Sequence, residues 1–177
     1  MGLAMDELQS LKDLFRHMEW ADSVVWRSVL ANKEATKDAQ LRDRLHHIHL
    51  VQHGFLLIWK GITTRPPTKN FSHAMSVLNW AREYYIDVTG YLNNLTAWDI
   101  AQPVEVPWAV MYEPQLGRKA AVSSLKETMS QVVLHTTHHR GQVCTKLKEL
   151  GGEPPLIDFI VWVWAGKPEA VWPDPLV

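Results

Sequence analysis

Apolar residues recur at helical spacing through four long stretches of this chain, with Gly and Pro clustered in the gaps. No other feature narrows the fold as much. In the first stretch Leu8, Leu11, Leu14 or Phe15, Met18, Ala21 or Asp22, Val25 and Val29 mark one face, which predicts a helix from about Asp6 to Asn32. Asp6 is placed to cap it, with Gln9 three residues on. The second helix is expected from about Asp38 to Lys60, stopping at Gly61 ahead of Pro66-Pro67. The third spans about Ser72 to Leu95. The fourth opens on the capping box Ser124-Leu125-Lys126-Glu127 and ends near Leu150, where Gly151-Gly152 tolerate positive φ.

Thr96 to Val122, with Pro103, Pro107 and Pro114, forms an irregular insert between helices three and four. Val104-Glu105-Val106 and Val110-Met111-Tyr112 are its strand candidates, weakened by the prolines. Beyond Pro154-Pro155, Leu156 to Ala165 predicts a short C-terminal helix with Pro155 in its first turn. No internal repeat is present. Four helices with one long crossover predict an all-α fold, a four-helix bundle, as a single domain over residues 1–177. The cores of such bundles host metal and cofactor sites built from facing helices.

Charge removes several function classes. There are 18 Lys plus Arg against 19 Asp plus Glu, which argues against a basic nucleic-acid binder. The single cysteine, Cys144, excludes an intramolecular disulfide framework and suits a reducing compartment, with the thiol read as a small core residue. The acidic N-terminus does not resemble a signal peptide, and no apolar run approaches the roughly 20 residues of a membrane span. The expectation is a cytoplasmic protein with no membrane or nucleic-acid partner.

Nine histidines and nine tryptophans stand out. The tryptophans read mainly as core and interface filler. The histidines cluster, four between His46 and His53 and three between His135 and His139. His135 and His139 are one helical turn apart on a stripe continued by Val132 and Val143, and imidazoles at that spacing can chelate one divalent ion. His138 points to a neighbouring face with Gln131 and Leu134. On the second helix His47 shares a stripe with Val51, Phe55 and Ile58, while His49 shares one with Leu45, Gln52 and Leu56 and is the alternative ligand. His46 and His53 fit boundary faces. Histidines that merely pack and hydrogen-bond explain either cluster alone. Two clusters on two helices favour a metal held by three neutral imidazoles, with one position open. No His-Glu-x-x-His, Glu-x-x-His, phosphate-binding loop or Gly-x-Ser-x-Gly elbow occurs.

The run His135-Thr136-Thr137-His138-His139-Arg140-Gly141-Gln142, followed by Gly151-Gly152-Glu153-Pro154-Pro155 and Asp158, resembles the C-terminal pattern of the DinB/YfiT-like superfamily. Leu45-His46-His47-Ile48, with Phe55 and Gly61, is similar to its second-helix histidine motif. His17-Met18-Glu19-Trp20-Ala21-Asp22 is similar to its first-helix pattern, with Asp22 where Asn is more usual. The resemblance implies an up-down-down-up bundle holding a divalent metal, often zinc or nickel, on His47, His135 and His139. It also implies a homodimer and, in some relatives, transferase or isomerase chemistry on a low-molecular-weight thiol. Gln52 stands where the family often has Glu.

The expected function is therefore a metal-dependent enzyme of the thiol S-transferase or hydrolase type, acting on a small-molecule substrate or thiol. The alternatives are a bundle that binds a metal or small ligand without turnover, and a purely structural dimer. No general base stands out beside the ligands; Asp22, Tyr84 and Tyr85 are candidates only for supporting them. Arg140 is expected to pair with Asp158, tying the tail to helix four, the alternative being an anionic substrate. Gly141, at a helical cost of about 1 kcal/mol against Ala, is expected to mark close packing.

Overall fold

The structure, a computed structural model, describes residues 2–62 and 71–174, with side chains from Asp6 onward. Pro66-Pro67 lies outside the described residues. Helix α1 runs Gly2–Ala31, α2 Lys33–Lys37, α3 Ala39–Trp59 and α4 Ala74–Asn93. In the insert, α5 spans Glu113–Leu116; α6 then runs Leu125–Glu149 and α7 Phe159–Trp164. The four long helices are those the periodicity demanded.

The helix starts follow side-chain chemistry. Ser124 and Glu127 close the expected capping box reciprocally at α6. Asp38 caps α3 through Leu41 N–H, 2.7 Å from Oδ1. Asn32 caps α2, a short helix the sequence reading missed because it fills the gap between two longer periodic runs. The Asp6–Gln9 cap does not form. Helix α1 already starts at Gly2, which leaves Asp6 an interior residue whose carbonyl accepts from the Ser10 hydroxyl, while Gln9 bonds Asp13.

The insert corrects two expectations. Val104 does enter a strand, β1, Pro103–Val104, paired antiparallel with β2, Ser123–Ser124, but Glu105 and Val106 do not. Val110-Met111-Tyr112 belongs to a 3-10 turn, Ala109–Tyr112, that runs directly into α5, where Pro114 fits the first turn. The tail helix is shorter than Leu156 to Ala165, because its first turn opens after Asp158 rather than at Pro155.

Side-chain pairs give the helix directions. Asp22 meets Arg140 and Glu7 meets Lys126, so α1 and α6 run parallel. Asp38 meets Lys146 and Trp59 meets Thr128, so α3 and α6 run antiparallel. Arg42 reaches Ser72 and Lys60 reaches Asp87, so α3 and α4 run parallel. The order is up-down-down-up. The apolar core falls into two parts: one holds Phe15, Trp59, Val88 and Met129, the other Trp26, Ile48, Leu78 and Leu147. Fully burying such a side chain stabilises by about 1.5–3 kcal/mol. Between the two parts lies a buried polar layer formed by Asp22, His49, Gln52, Tyr85, Thr136 and Arg140.

Gly141 is not a close-packing site. A Cβ there meets nothing within 4 Å, whereas at Gly152 it falls 2.4 Å from Leu147 Cδ1 and 2.8 Å from Cγ. The close approach therefore belongs to the turn after α6, where Gly152 N–H bonds the Leu147 carbonyl. We expect Gly141→Ala to stabilise the fold by about 1 kcal/mol through helix propensity. Gly152→Ala should cost about 1–3 kcal/mol, because buried Leu147 must leave its place. Urea unfolding of the two variants checks both signs.

Candidate metal centre

Three histidines converge at the seam between α3 and α6. The potential ligand atoms of His47, His135 and His139 all lie within 4.8 Å of one another. The His47 and His135 Nε2 atoms are 3.1 Å apart. Two ligands on a tetrahedral zinc with Zn–N near 2.05 Å sit about 3.3 Å apart, so the spacing fits. The rings of His139 and His47 have centroids 4.6 Å apart, and those of His139 and His135 4.3 Å.

The cluster lies nearer solvent than the stripe argument expects. His47 is exposed, and His135 and His139 are half-buried. From Val132 onward the buried residues of α6 are Val132, Val133, Thr136, Arg140, Val143 and Leu147. That stripe is one residue removed from the two histidines, which sit at its edge against α3. An edge position suits a site that must admit a small molecule.

The local electrostatics favour neutral rings. Burial, and then the neighbouring rings of His139, His47 and His138, bring the His135 pKa down to about 4. Burial lowers His47 too, with His139 and His46 adding to it. At neutral pH both therefore present lone pairs, as metal ligation requires.

His49, the alternative ligand, is not brought into the cluster. Its Nε2 accepts from Trp26 Nε1–H at 3.2 Å, and its Nδ1 lies 2.8 Å from Gln52 Oε1. It is fully buried in the polar layer, facing α1. His46 packs against Phe71 and Trp80, and His53 Nε2 lies 2.9 Å from the Trp80 carbonyl, so both lean toward α4. His138 is exposed, as its face predicts.

The expected Arg140–Asp158 pair does not form. Arg140 lies on the buried stripe of α6, so its guanidinium enters the bundle and Nη1 meets Asp22 Oδ1 at 2.8 Å and the Met18 carbonyl at 3.2 Å. Asp158 stands at the start of α7. The tail is tied down instead by His17, whose Nε2–H donates to the Ile157 carbonyl at 2.9 Å, and by Trp172, which donates to Glu19. Asp22 also accepts from the Tyr85 hydroxyl at 2.5 Å, and burial and Asp22 together push the Tyr85 pKa up. Tyr84 is buried beside it, its hydroxyl unpaired among the described residues. Cys144 is half-buried against the Trp26 part of the core.

The sequence reading passed over Gln142 as a functional residue. Its Oε1 lies 2.9 Å from His139 Nδ1. The signal was present: a polar residue three positions after a candidate ligand shares its helix face.

A sequence profile described as the DinB family matches residues 5–170. The chain belongs to the DinB family. A crystal structure of a DinB-like protein from Bacillus cereus ATCC 10987 is similar in fold, with a TM-score of 0.52 at 14% identity, covering 86% of this chain and 95% of that one. No curated protein matches the chain. In this DinB-family protein, Gln52 is fully buried and its amide is engaged by Asp22, Tyr85 and Thr136, each at 3.2 Å. It therefore serves the polar layer rather than acid–base chemistry. Among the described residues no helix is long and apolar enough to cross a membrane.

Proposed function

We propose that this DinB-family protein is a metal-dependent enzyme, in which His47, His135 and His139 hold zinc or nickel and a small-molecule thiol or water is the nucleophile. The observation that carries this reading is the convergence of three imidazoles from two helices at a solvent-accessible seam. The donor set is all nitrogen and carries no charge, which suits zinc and nickel better than magnesium or calcium. Three protein ligands leave a position for a further group.

A divalent ion held there lowers the pKa of a water or thiol so that it is nucleophilic at neutral pH. The chain's own contribution is positional. α3 supplies one ring and α6 two, and the buried Asp22–Arg140 pair fixes α6 against α1 behind them. No carboxylate belongs to the cluster among the described residues. Proton removal from the nucleophile therefore falls to solvent or the substrate itself in this reading. The proposed partners are a thiol or another small molecule and a second copy of the chain. The second copy is supported by apolar side chains exposed on and before α7, among them Leu156, Ile160 and Trp164.

The test is turnover. Zinc- or nickel-loaded protein, given low-molecular-weight thiols with alkylating or epoxide electrophiles, should form thioether products. Ester and amide substrates without thiol probe hydrolysis. Activity should vanish with a chelator and in His135→Ala. Turnover that survives both treatments would contradict the proposal.

A further inference from the structure

An imidazole that ligates a metal through one nitrogen carries its hydrogen on the other, and the partner of that second nitrogen decides which is which. At His139 the partner is Gln142, with Oε1 2.9 Å from Nδ1. A carbonyl oxygen only accepts, so Nδ1 carries the hydrogen and donates. That leaves the Nε2 lone pair of His139 free for the centre.

The amide presents its oxygen to His139 and its nitrogen to His138. Gln142 Nε2 lies 3.0 Å from His138 Nε2. The amide nitrogen only donates, so His138 Nε2 accepts. With the amide turned over, its NH2 would face His139 Nδ1 and demand a lone pair there, which moves the hydrogen to Nε2 and blocks ligation. The main chain of Gln142 makes a further tie, its carbonyl accepting from Arg44 Nη1 at 2.9 Å. Arg44 lies on α3 one turn before His47, so Gln142 also links the two ligand-bearing helices.

The other two rings lack such a device. The Nε2 atoms of His47 and His135 face each other at 3.1 Å. Among the described residues neither has a hydrogen bond at Nδ1.

We propose that Gln142 is a positioning residue of the metal centre, holding His139 in the tautomer that offers Nε2. This rests on the reading of His47, His135 and His139 as ligands.

The test is zinc affinity, by competition with a chromophoric chelator, for the full chain without a His tag, together with the visible spectrum of the cobalt-loaded protein. Gln142→Ala should weaken zinc by about 10–100-fold and alter the cobalt bands. Its metal-free melting temperature should match that of the parent protein. Gln142→Glu keeps an acceptor at the same place and should restore both affinity and spectrum. A residue that only supported the helix would lower the metal-free melting temperature and would not be rescued in this way. The proposal is overturned if Gln142→Ala binds zinc as tightly as the parent while His139→Ala has lost it, or if Gln142→Glu is as weak as the alanine variant. A parent protein that takes up no zinc, and so matches His139→Ala, overturns the ligand reading itself.

Discussion

Replacing His139 with alanine should remove tight zinc or nickel binding and leave the metal-free fold standing. Closed four-ligand zinc sites bind with roughly 10–16 kcal/mol, so one ligand accounts for about 2.5–4 kcal/mol, or roughly two to three decades of affinity. His139 is half-buried at the edge of the α6 stripe, so its truncation opens no core cavity. The parent protein should also gain melting temperature on loading. At a metal concentration about a thousand times the dissociation constant, binding adds about 4 kcal/mol, or roughly 10 °C for a chain of this length. The alanine variant should lose most of that gain. Calorimetric titration together with melting curves, with and without metal, checks both parts. A variant that still binds as tightly as the parent would show that the cluster is not the site.

The second large effect concerns the layer beneath the histidines. Asp22→Ala should destabilise the fold by about 3–5 kcal/mol, because it strands the Arg140 charge in the interior. The side chains of Arg140 and Asp22 are 2% and 4% exposed, so water cannot easily replace the missing partner. The Tyr85 hydroxyl and the Gln52 amide lose an acceptor as well. Exchanging both members of the ion pair, Asp22→Leu with Arg140→Met, should recover most of the loss, since neither charge then has to be buried. Urea unfolding of Asp22→Ala gives the loss, and that of Asp22→Leu, Arg140→Met and their double variant gives the coupling. A loss below about 1 kcal/mol in Asp22→Ala would mean that the layer is wet or the pair dispensable.

The long helices were legible because their information is local. Ser124 with Glu127, and Asp38 before α3, signal helix starts within a few residues. The grouping of His47 with His135 and His139 was also legible, since spacing on each helix selects candidate faces and the family resemblance selects among them. How deeply the rings are buried was not. Val132 and Val143 are both core residues, but the line between them is completed by Thr136 and Arg140 rather than by the histidines. Polar residues at core positions mislead any count of apolar periodicity, and here two of them belong to the buried layer. For the same reason Arg140 was paired with Asp158, a carboxylate nearby in sequence, rather than placed in the core. Its true partner lies 118 positions away, on a helix whose packing neighbour cannot be read from the chain. His49 was open as a ligand for a related reason. Its stripe is as inward-facing as that of His47, and only the placement of Trp26 and Gln52 shows that both its nitrogens are engaged. Gly141 and Gly152 show the limit for backbone. A glycine in a helix looks costly, yet the position that cannot take a Cβ is the one in the turn, where Leu147 folds over it.

The most direct measurement is the metal content of protein produced without a His tag, by elemental analysis before and after chelation. The account predicts about one zinc or nickel ion per chain in the parent protein, as expected of a three-histidine site. It predicts loss of that ion on chelation, its return on adding metal back, and its absence from His135→Ala and His139→Ala. A parent protein that holds no metal even after reconstitution, or variants that hold as much as the parent, would contradict it.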